Sequence, residues 1–296
     1  MKGARRSMLY IPGNNPGMIQ HAPVFGADSI LLDLEDAVST GEKDAARSLV
    51  AHFLKVMDFG ALEVTVRVNG ADTEWFEADL EAIVPCGLDA VRVPKCNGPK
   101  DVQKADAVIK RLEKEHGMDE VSVRIHAMIE TALGVENAFA LASCSPRVDA
   151  LTLGGQDLTA DLGVPKTREG AELFYARSRV VIAAKAAGVS SFDTVWADIG
   201  DNDGLLEETR KVTGLGFTGK AAIHPGQIEW IHEAFRPARE DIRKAERVVT
   251  AADEAKRMGR GVVAVDGRMV DAPVVKRARR LLDLAALYPC ETEDPS

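Results

Sequence analysis

Carboxylates, guanidiniums and an imidazole recur just past short apolar runs, a placement that suits chemistry at a shared opening. The runs end in Asp33-Leu34-Glu35-Asp36, in Val66-Arg67-Val68-Asn69, in Arg92-Val93-Pro94-Lys95, at Glu130 after Met128-Ile129, at Asp157 after Leu153-Gly154-Gly155-Gln156, and at His224-Pro225. Glu130 and Asp157 would make a pair of oxygen ligands for Mg²⁺, which keeps several waters and takes only one or two carboxylates from a protein. Gly154 and Gly155 would let a ligand approach the backbone closely. Arg67 either points outward to pair with helix acids or inward, where its fork would hold a carboxylate or a developing enolate oxygen. Each reading has a plainer rival: a strand-end acid can cap the next helix, His224 can be a packed strand-end residue, and Lys95 can serve a salt bridge at the mouth. Asp33 reads as structural.

These residues act together only if their strands share one mouth. Short apolar runs alternate with longer amphipathic ones, the pattern of repeated βα units. Strands are expected at residues 8–11, 29–34, 64–68, 90–93, 123–129, 150–153, 192–195 and 221–223, with helices at 42–53, 99–116, 134–142 and 169–187 among them. Three strands share an approach with Asp one residue ahead of the run, at Asp28, Asp89 and Asp149, which reads as a structural repeat. Eight strands with intervening helices fit a TIM (β/α)8 barrel, whose active site lies at the carboxyl ends of the strands. A doubly wound open sheet is the alternative, but no G-x-G-x-x-G follows the first strand. The barrel is expected over residues 1–235. A C-terminal helical extension, helix-strand-helix over 236–296, follows: Pro237 is placed to start its first helix, residues 261–267 read as strand and turn, and 272–287 as the last helix. It is expected to pack on the barrel or on a neighbouring subunit.

Composition narrows the class. The 296 residues are 46% hydrophobic and 28% charged, which excludes a disordered, collagenous or disulfide-scaffold chain. A net charge of -9 argues against nucleic acid and anionic membrane as partners, so an anionic substrate needs a local basic pocket. The four cysteines, Cys86, Cys96, Cys144 and Cys290, form no C-x-x-C pair and read as reduced thiols. Arg5-Arg6-Ser7-Met8-Leu9 is a weak match to an export signal, broken at once by Pro12-Gly13-Asn14-Asn15-Pro16, and no apolar run approaches the ~18 residues of a membrane span. A cytoplasmic, enzyme-sized protein is expected.

The run from Arg5 through Tyr10-Ile11-Pro12-Gly13-Asn14, the segment Ala27 to Val38 around Asp33-Leu34-Glu35-Asp36, Val66-Arg67-Val68-Asn69, Val93-Pro94-Lys95 and Phe217-Thr218-Gly219-Lys220 closely resemble the citrate lyase β-subunit family, which includes malyl-CoA and citramalyl-CoA lyases. The resemblance implies a TIM barrel that uses Mg²⁺ to cleave a 3-hydroxyacyl thioester into an acetyl thioester and a 2-oxo acid. It implies Glu130 and Asp157 as metal ligands and Arg67 as the substrate-binding, enolate-stabilising residue. Glu35 and Asp36 are implied to hold metal-bound water beside the substrate, with Gly155 also at the substrate. The motif Asp266-Gly267-Arg268-Met269-Val270-Asp271 resembles a segment that reaches into a neighbouring subunit's site, with Asp271 as the acid/base at the acetyl carbon. Tyr10, Pro12, Gly13, His224 and Pro225 are implied to meet the arm of coenzyme A or an acyl carrier protein. A stand-alone CoA-dependent lyase and the β subunit of a multi-subunit citrate lyase acting on citryl-acyl carrier protein both remain open. A non-catalytic barrel is disfavoured, because every residue expected for the chemistry is present. A homotrimer, or a multiple of trimers, is the implied assembly.

Overall fold

The computed structural model describes residues 5–258, 263–265 and 268–288. Eight parallel strands close into a barrel in sequence order: β1 (Ser7–Pro12), β2 (Ser29–Asp33), β3 (Glu63–Arg67), β4 (Ala90–Val93), β5 (Arg124–Ile129), β6 (Val148–Leu153), β7 (Ser190–Asp193) and β8 (Gly219–Ala222), with β8 pairing back onto β1. The strands are near-continuous buried runs, as a parallel sheet covered by helices requires. Around them lie α1 (Pro16–His21), α2 (Lys43–Val56), α3 (Phe76–Ile83), α4 (Pro99–Glu115), α5 (Ala132–Glu136), α6 (Ala138–Ser143), α7 (Gly155–Asp161), α8 (Phe174–Ala187), α9 (Asn202–Leu215) and α10 (Ile228–Phe235). Met8, Leu31, Ala150 and Phe192 meet inside the barrel, with Tyr10 packed against them. This apolar layer supports the mouth.

The recurring Asp approach has a physical role. Asp28 accepts from the Arg6 backbone and side chain, Asp89 accepts from Val64 N at 2.8 Å, and Asp149 meets Arg5 and His126. Each carboxylate ties the start of its own strand to another strand's amino end, so the repeat is a set of stitches around the barrel floor.

Two expected helices begin or break differently. The stretch 134–142 divides at Asn137, whose side-chain amide donates to Asn97 O at 2.7 Å, so α5 and α6 replace one helix. In the stretch 169–187, Gly170 takes a left-handed φ of 68° and a tight turn over Ala171–Leu173 precedes α8, which therefore begins at Phe174.

The described residues divide into two compact units, one around the barrel up to residue 232 and one from residue 233 onward. In the second, α11 (Arg239–Arg257) begins after Ala238 rather than at Pro237, because Ala238 is still extended (φ -65°, ψ 141°) and serves as the N-cap. The strand β9 (Val263–Val265) pairs antiparallel with β10 (Arg268–Val270), a partner strand the sequence reading did not include, and α12 (Ala272–Leu287) follows. Ala245, Val248, Val270 and Ala278 form its small core. Gly261, Val262, Asp266, Gly267 and Cys290 lie outside the described residues. No helix among the described residues is long and apolar enough to cross a membrane.

Candidate active site

Asp33, at the end of β2, organises the mouth. Its carboxylate accepts from Glu35 N and Ala37 N at 3.0 and 3.1 Å, fixing the turn that follows, and from Arg67 Nε and Nη2 at 2.7 and 2.6 Å. The structural reading of Asp33 therefore holds. Asp33 and Arg67 stand opposite one another in the β2–β3 register, so the inward choice for Arg67 is set by its neighbour. Gly13, after β1, donates to Asp33 O at 2.8 Å, and a Cβ there would lie 2.6 Å from that oxygen, so only glycine allows this approach.

Glu35 is buried and bridges two cations, with Arg67 Nη1 2.8 Å from Oε2 and Lys95 Nζ 2.8 Å from Oε1. Burial pushes the Glu35 carboxyl up and the two cations oppose this. Asp36 is half-exposed and lies farther from both, at 3.7 and 3.9 Å. Lys95 thus fulfils its salt-bridge reading, and it has a second role. It takes a left-handed φ of 52°, rare for a residue with a side chain, and its backbone N–H donates to Glu130 Oε2 at 3.1 Å.

Glu130, after β5, is 1% exposed, and its Oε1 has no hydrogen-bond partner. A Cβ on Gly154 would fall 2.7 Å from that oxygen, so the glycine leaves room beside it. Burial, reinforced by the charges of Glu35 and Asp157, pushes the Glu130 carboxyl up to about 8. Asp157 sits in the first turn of α7, and β5 and β6, the strands that lead to Glu130 and Asp157, are direct neighbours. A buried carboxylate oxygen without a donor, a second acid nearby and a cleared space suit a hard cation with oxygen ligands.

A cavity of about 210 Å³ opens here, lined by Tyr10, Asp36, Arg67, Arg92, Gly155 and Asp157 among others. Gly155 lines it, but its N–H is taken by Thr194 Oγ1 at 2.9 Å. Thr194 lines the cavity without having been a candidate from the sequence, and Arg92 lines it as a strand-end residue to which the sequence assigned no role. Arg92 was visible as a charged residue at a strand end, whereas Thr194 carries no charge to mark it. Pro12 is half-buried at the end of β1. His224 is exposed and its Nδ1 accepts from Gly226 N at 3.1 Å, capping the short turn Pro225–Gln227; neither His224 nor Pro225 lines the cavity. Asp271 lies in the other unit, exposed, and caps α12 by accepting from Val274 N at 3.1 Å.

A closed parallel barrel whose strand ends gather carboxylates, a held guanidinium and a cavity has the arrangement of a TIM-barrel enzyme. The chain belongs to the HpcH/HpaI aldolase/citrate lyase family, whose model matches residues 6–225. It is 43% identical over 281 residues to the citrate lyase subunit beta of Leuconostoc mesenteroides subsp. cremoris, covering 95% of this chain and 93% of that protein. It is 35% identical to the mitochondrial citramalyl-CoA lyase of Rattus norvegicus, covering 95% and 86%. Among solved structures, the CitE protein of Mycobacterium tuberculosis in complex with magnesium, acetoacetate and coenzyme A superposes with a TM-score of 0.81 at 31% identity, covering 97% of this chain and all of that one.

Proposed function

We propose that this mouth cleaves the carbon–carbon bond of a 3-hydroxyacyl thioester (citramalyl-CoA, malyl-CoA or a citryl thioester) into an acetyl thioester and a 2-oxo acid, with Glu130 and Asp157 holding Mg²⁺. The observation that carries this reading is the buried, partnerless Glu130 Oε1 beside Gly154. When bound, the cation supplies Lewis-acid polarisation of the substrate oxygen that becomes the oxo group. Arg67 is fixed by Asp33 and Glu35 in one orientation and lines the cavity, so it stabilises the thioester enolate oxygen without reorganising. Glu35 and Asp36 order water around the metal site, and Gly155 lets the substrate lie against the backbone.

Tyr10, Pro12, Gly13, His224 and Pro225 serve the thioester arm in this reading. Asp271, supplied by a neighbouring subunit's carboxyl-terminal unit within a homotrimer or a multiple of it, returns a proton to the acetyl carbon. The reading places the chain in the cytoplasm, supported by the unpaired Cys86, Cys96 and Cys144.

In the first form the chain acts alone on CoA thioesters. A second form is favoured by the higher identity to a citrate lyase subunit beta than to a citramalyl-CoA lyase, 43% against 35%. There the chain is the β subunit of a multi-subunit enzyme and takes citryl-acyl carrier protein to oxaloacetate and acetyl-acyl carrier protein. Purified protein with Mg²⁺ is incubated with malyl-CoA, citramalyl-CoA and citryl-CoA while 2-oxo acid release is followed. Turnover of any of them supports the stand-alone form. Silence rescued by citryl-acyl carrier protein supports the second, and silence with all four overturns the lyase reading.

A further inference from the structure

The buried guanidiniums of this chain are not alike. Arg67 is held by Asp33 and Glu35, Arg147 by Glu113 and Asp106, and Arg177 by Asp193 and Glu208. Arg92 is 1% exposed, and among the described residues no carboxylate lies within ion-pair distance of it. Its Nη1 donates to the Tyr10 hydroxyl at 2.8 Å, its Nη2 meets Met8 Sδ and lies 3.4 Å from His126 Nδ1, and its Nε has no partner. A buried cation left without a counter-charge is strongly disfavoured unless something else supplies one. Burial accordingly pulls the Arg92 guanidinium below its ordinary range.

Its place says what would supply the charge. Arg92 stands in register with Arg67 on the adjacent strand, and the two guanidiniums sit 5.7 and 5.4 Å from the centre of the Tyr10 ring. Both line the cavity, but Arg67 already carries its acids. The uncompensated positive charge at the cavity therefore belongs to Arg92.

We propose that Arg92 anchors a second carboxylate on the 2-oxo acid fragment, and so selects thioesters whose cleavage releases a dicarboxylic rather than a monocarboxylic 2-oxo acid. The inference rests on the lyase reading of this mouth and sharpens it. The first carboxylate and the oxo oxygen belong with Glu130, Asp157 and their cation. A fragment ending in a methyl group or a hydrogen offers Arg92 nothing, whereas a terminal carboxylate offers a charge-assisted hydrogen bond in a desolvated setting.

The test is calorimetric binding of freshly dissolved oxaloacetate and of pyruvate to the Mg²⁺-loaded full chain, beside the thioester assay. Wild type is expected to bind oxaloacetate at least about tenfold more tightly than pyruvate, the scale of one charged hydrogen bond. Arg92→Met is expected to erase that preference by weakening oxaloacetate alone, with pyruvate binding as the check that the site is still formed. Arg92→Lys, which keeps the charge and loses the fork, is expected to retain part of it. The proposal is overturned if wild type shows no preference, if Arg92→Met weakens both acids equally, or if Arg92→Lys keeps no more preference than Arg92→Met. Should Arg92→Met not fold, the wild-type ratio and Arg92→Lys decide alone. Absence of thioester cleavage beside an Arg92-dependent oxaloacetate preference would remove the lyase reading and leave the anchor. Cleavage with an unmoved preference would do the reverse.

Discussion

Two acid clusters occupy opposite ends of the barrel, and they are neutralised by different means. At the floor, Glu63, His126 and Asp149 bring potential ligand atoms within 4.8 Å of one another, a set that could hold a metal ion. The chain fills that place itself: Arg5 Nη2 lies 2.6 Å from Glu63 Oε1 and 2.7 Å from His126 Nε2, and Nη1 lies 3.4 Å from Asp149 Oδ2. At the mouth, Arg67 and Lys95 neutralise Asp33 and Glu35, but nothing donates to Glu130 Oε1. Acid content alone does not mark a cation site. What marks it is acid that the fold declines to pair.

The largest effects are expected where the mouth is altered. Asp157→Asn and Glu130→Gln should each lower Mg²⁺-dependent turnover by about a thousandfold or more, since under the proposed function each is a charged ligand of a site with few others. The two ends also differ in stability. Glu130→Gln relieves a buried carboxylate, so the metal-free variant should melt at or above wild type while losing the upward shift in melting temperature that Mg²⁺ gives wild type. Full turnover in Asp157→Asn would remove it as a ligand, and a Glu130→Gln protein much less stable than wild type would show that this carboxylate is structural.

At the floor the expectation reverses. Arg5→Met should destabilise the chain by about 2 kcal/mol, because Glu63 and Asp149 are left without their cation, while turnover per folded molecule stays unchanged. The pH dependence follows from the same contacts. Complete burial holds the His126 imidazole below its ordinary 6.5. Burial would raise Asp149, but hydrogen bonds and charge from His126 and Arg5 bring it down to about 2. Both folded-state values are depressed, so their stabilisation is complete above pH 6.5 and is lost as pH falls through that point and on toward about 2. Urea midpoints taken across that range should fall in wild type and fall less steeply in Arg5→Met, where Asp149 has lost part of the cause of its depression. Equal slopes would break the assignment of the floor to Arg5.

The contrast also explains what was legible in the sequence. Strand positions were readable where the strand is a buried apolar run, as in β2 and β4, whereas β7 (Ser190–Asp193) and β8 (Gly219–Ala222), which carry few apolar residues, begin two residues before the expected 192–195 and 221–223. The Asp approaches at 28, 89 and 149 were readable because stitching needs one residue type at one place. Glu130, Asp157 and Arg67 could be singled out by type and position. The difference between a paired and an unpaired acid could not, because it depends on cross-strand neighbours: Arg67 turns inward to meet Asp33, and Arg5 reaches Glu63 across 58 residues of chain. Arg92 received no role for the same reason, since an arginine without an acid looks in sequence like any other. His224 marks the same limit from the other side: its type and place at a strand end suggest a binding role, while the cap it makes for Gly226 N depends on a turn geometry that the residue types do not spell out.

The smallest and most demanding expectation concerns Asp271, which no barrel strand carries. In the described residues it caps α12, so Asp271→Ala would confound a lost acid with a lost cap worth about 1 kcal/mol. Asp271→Asn keeps a side-chain acceptor for Val274 N and removes the acid, so it should fold as wild type and lose turnover. Arg67→Lys keeps a cation for Asp33 and Glu35 and loses the fork that would meet the enolate. If Asp271 acts across subunits, each variant is inactive alone, but a refolded one-to-one mixture places an intact barrel beside an intact carboxyl-terminal unit in about a quarter of its sites. Recovered turnover of that order would show that the site is completed by a second copy. No recovery, with subunit exchange proven by mixed tags, would return Asp271 to the helix cap it visibly serves and leave the proton to a residue of the barrel itself.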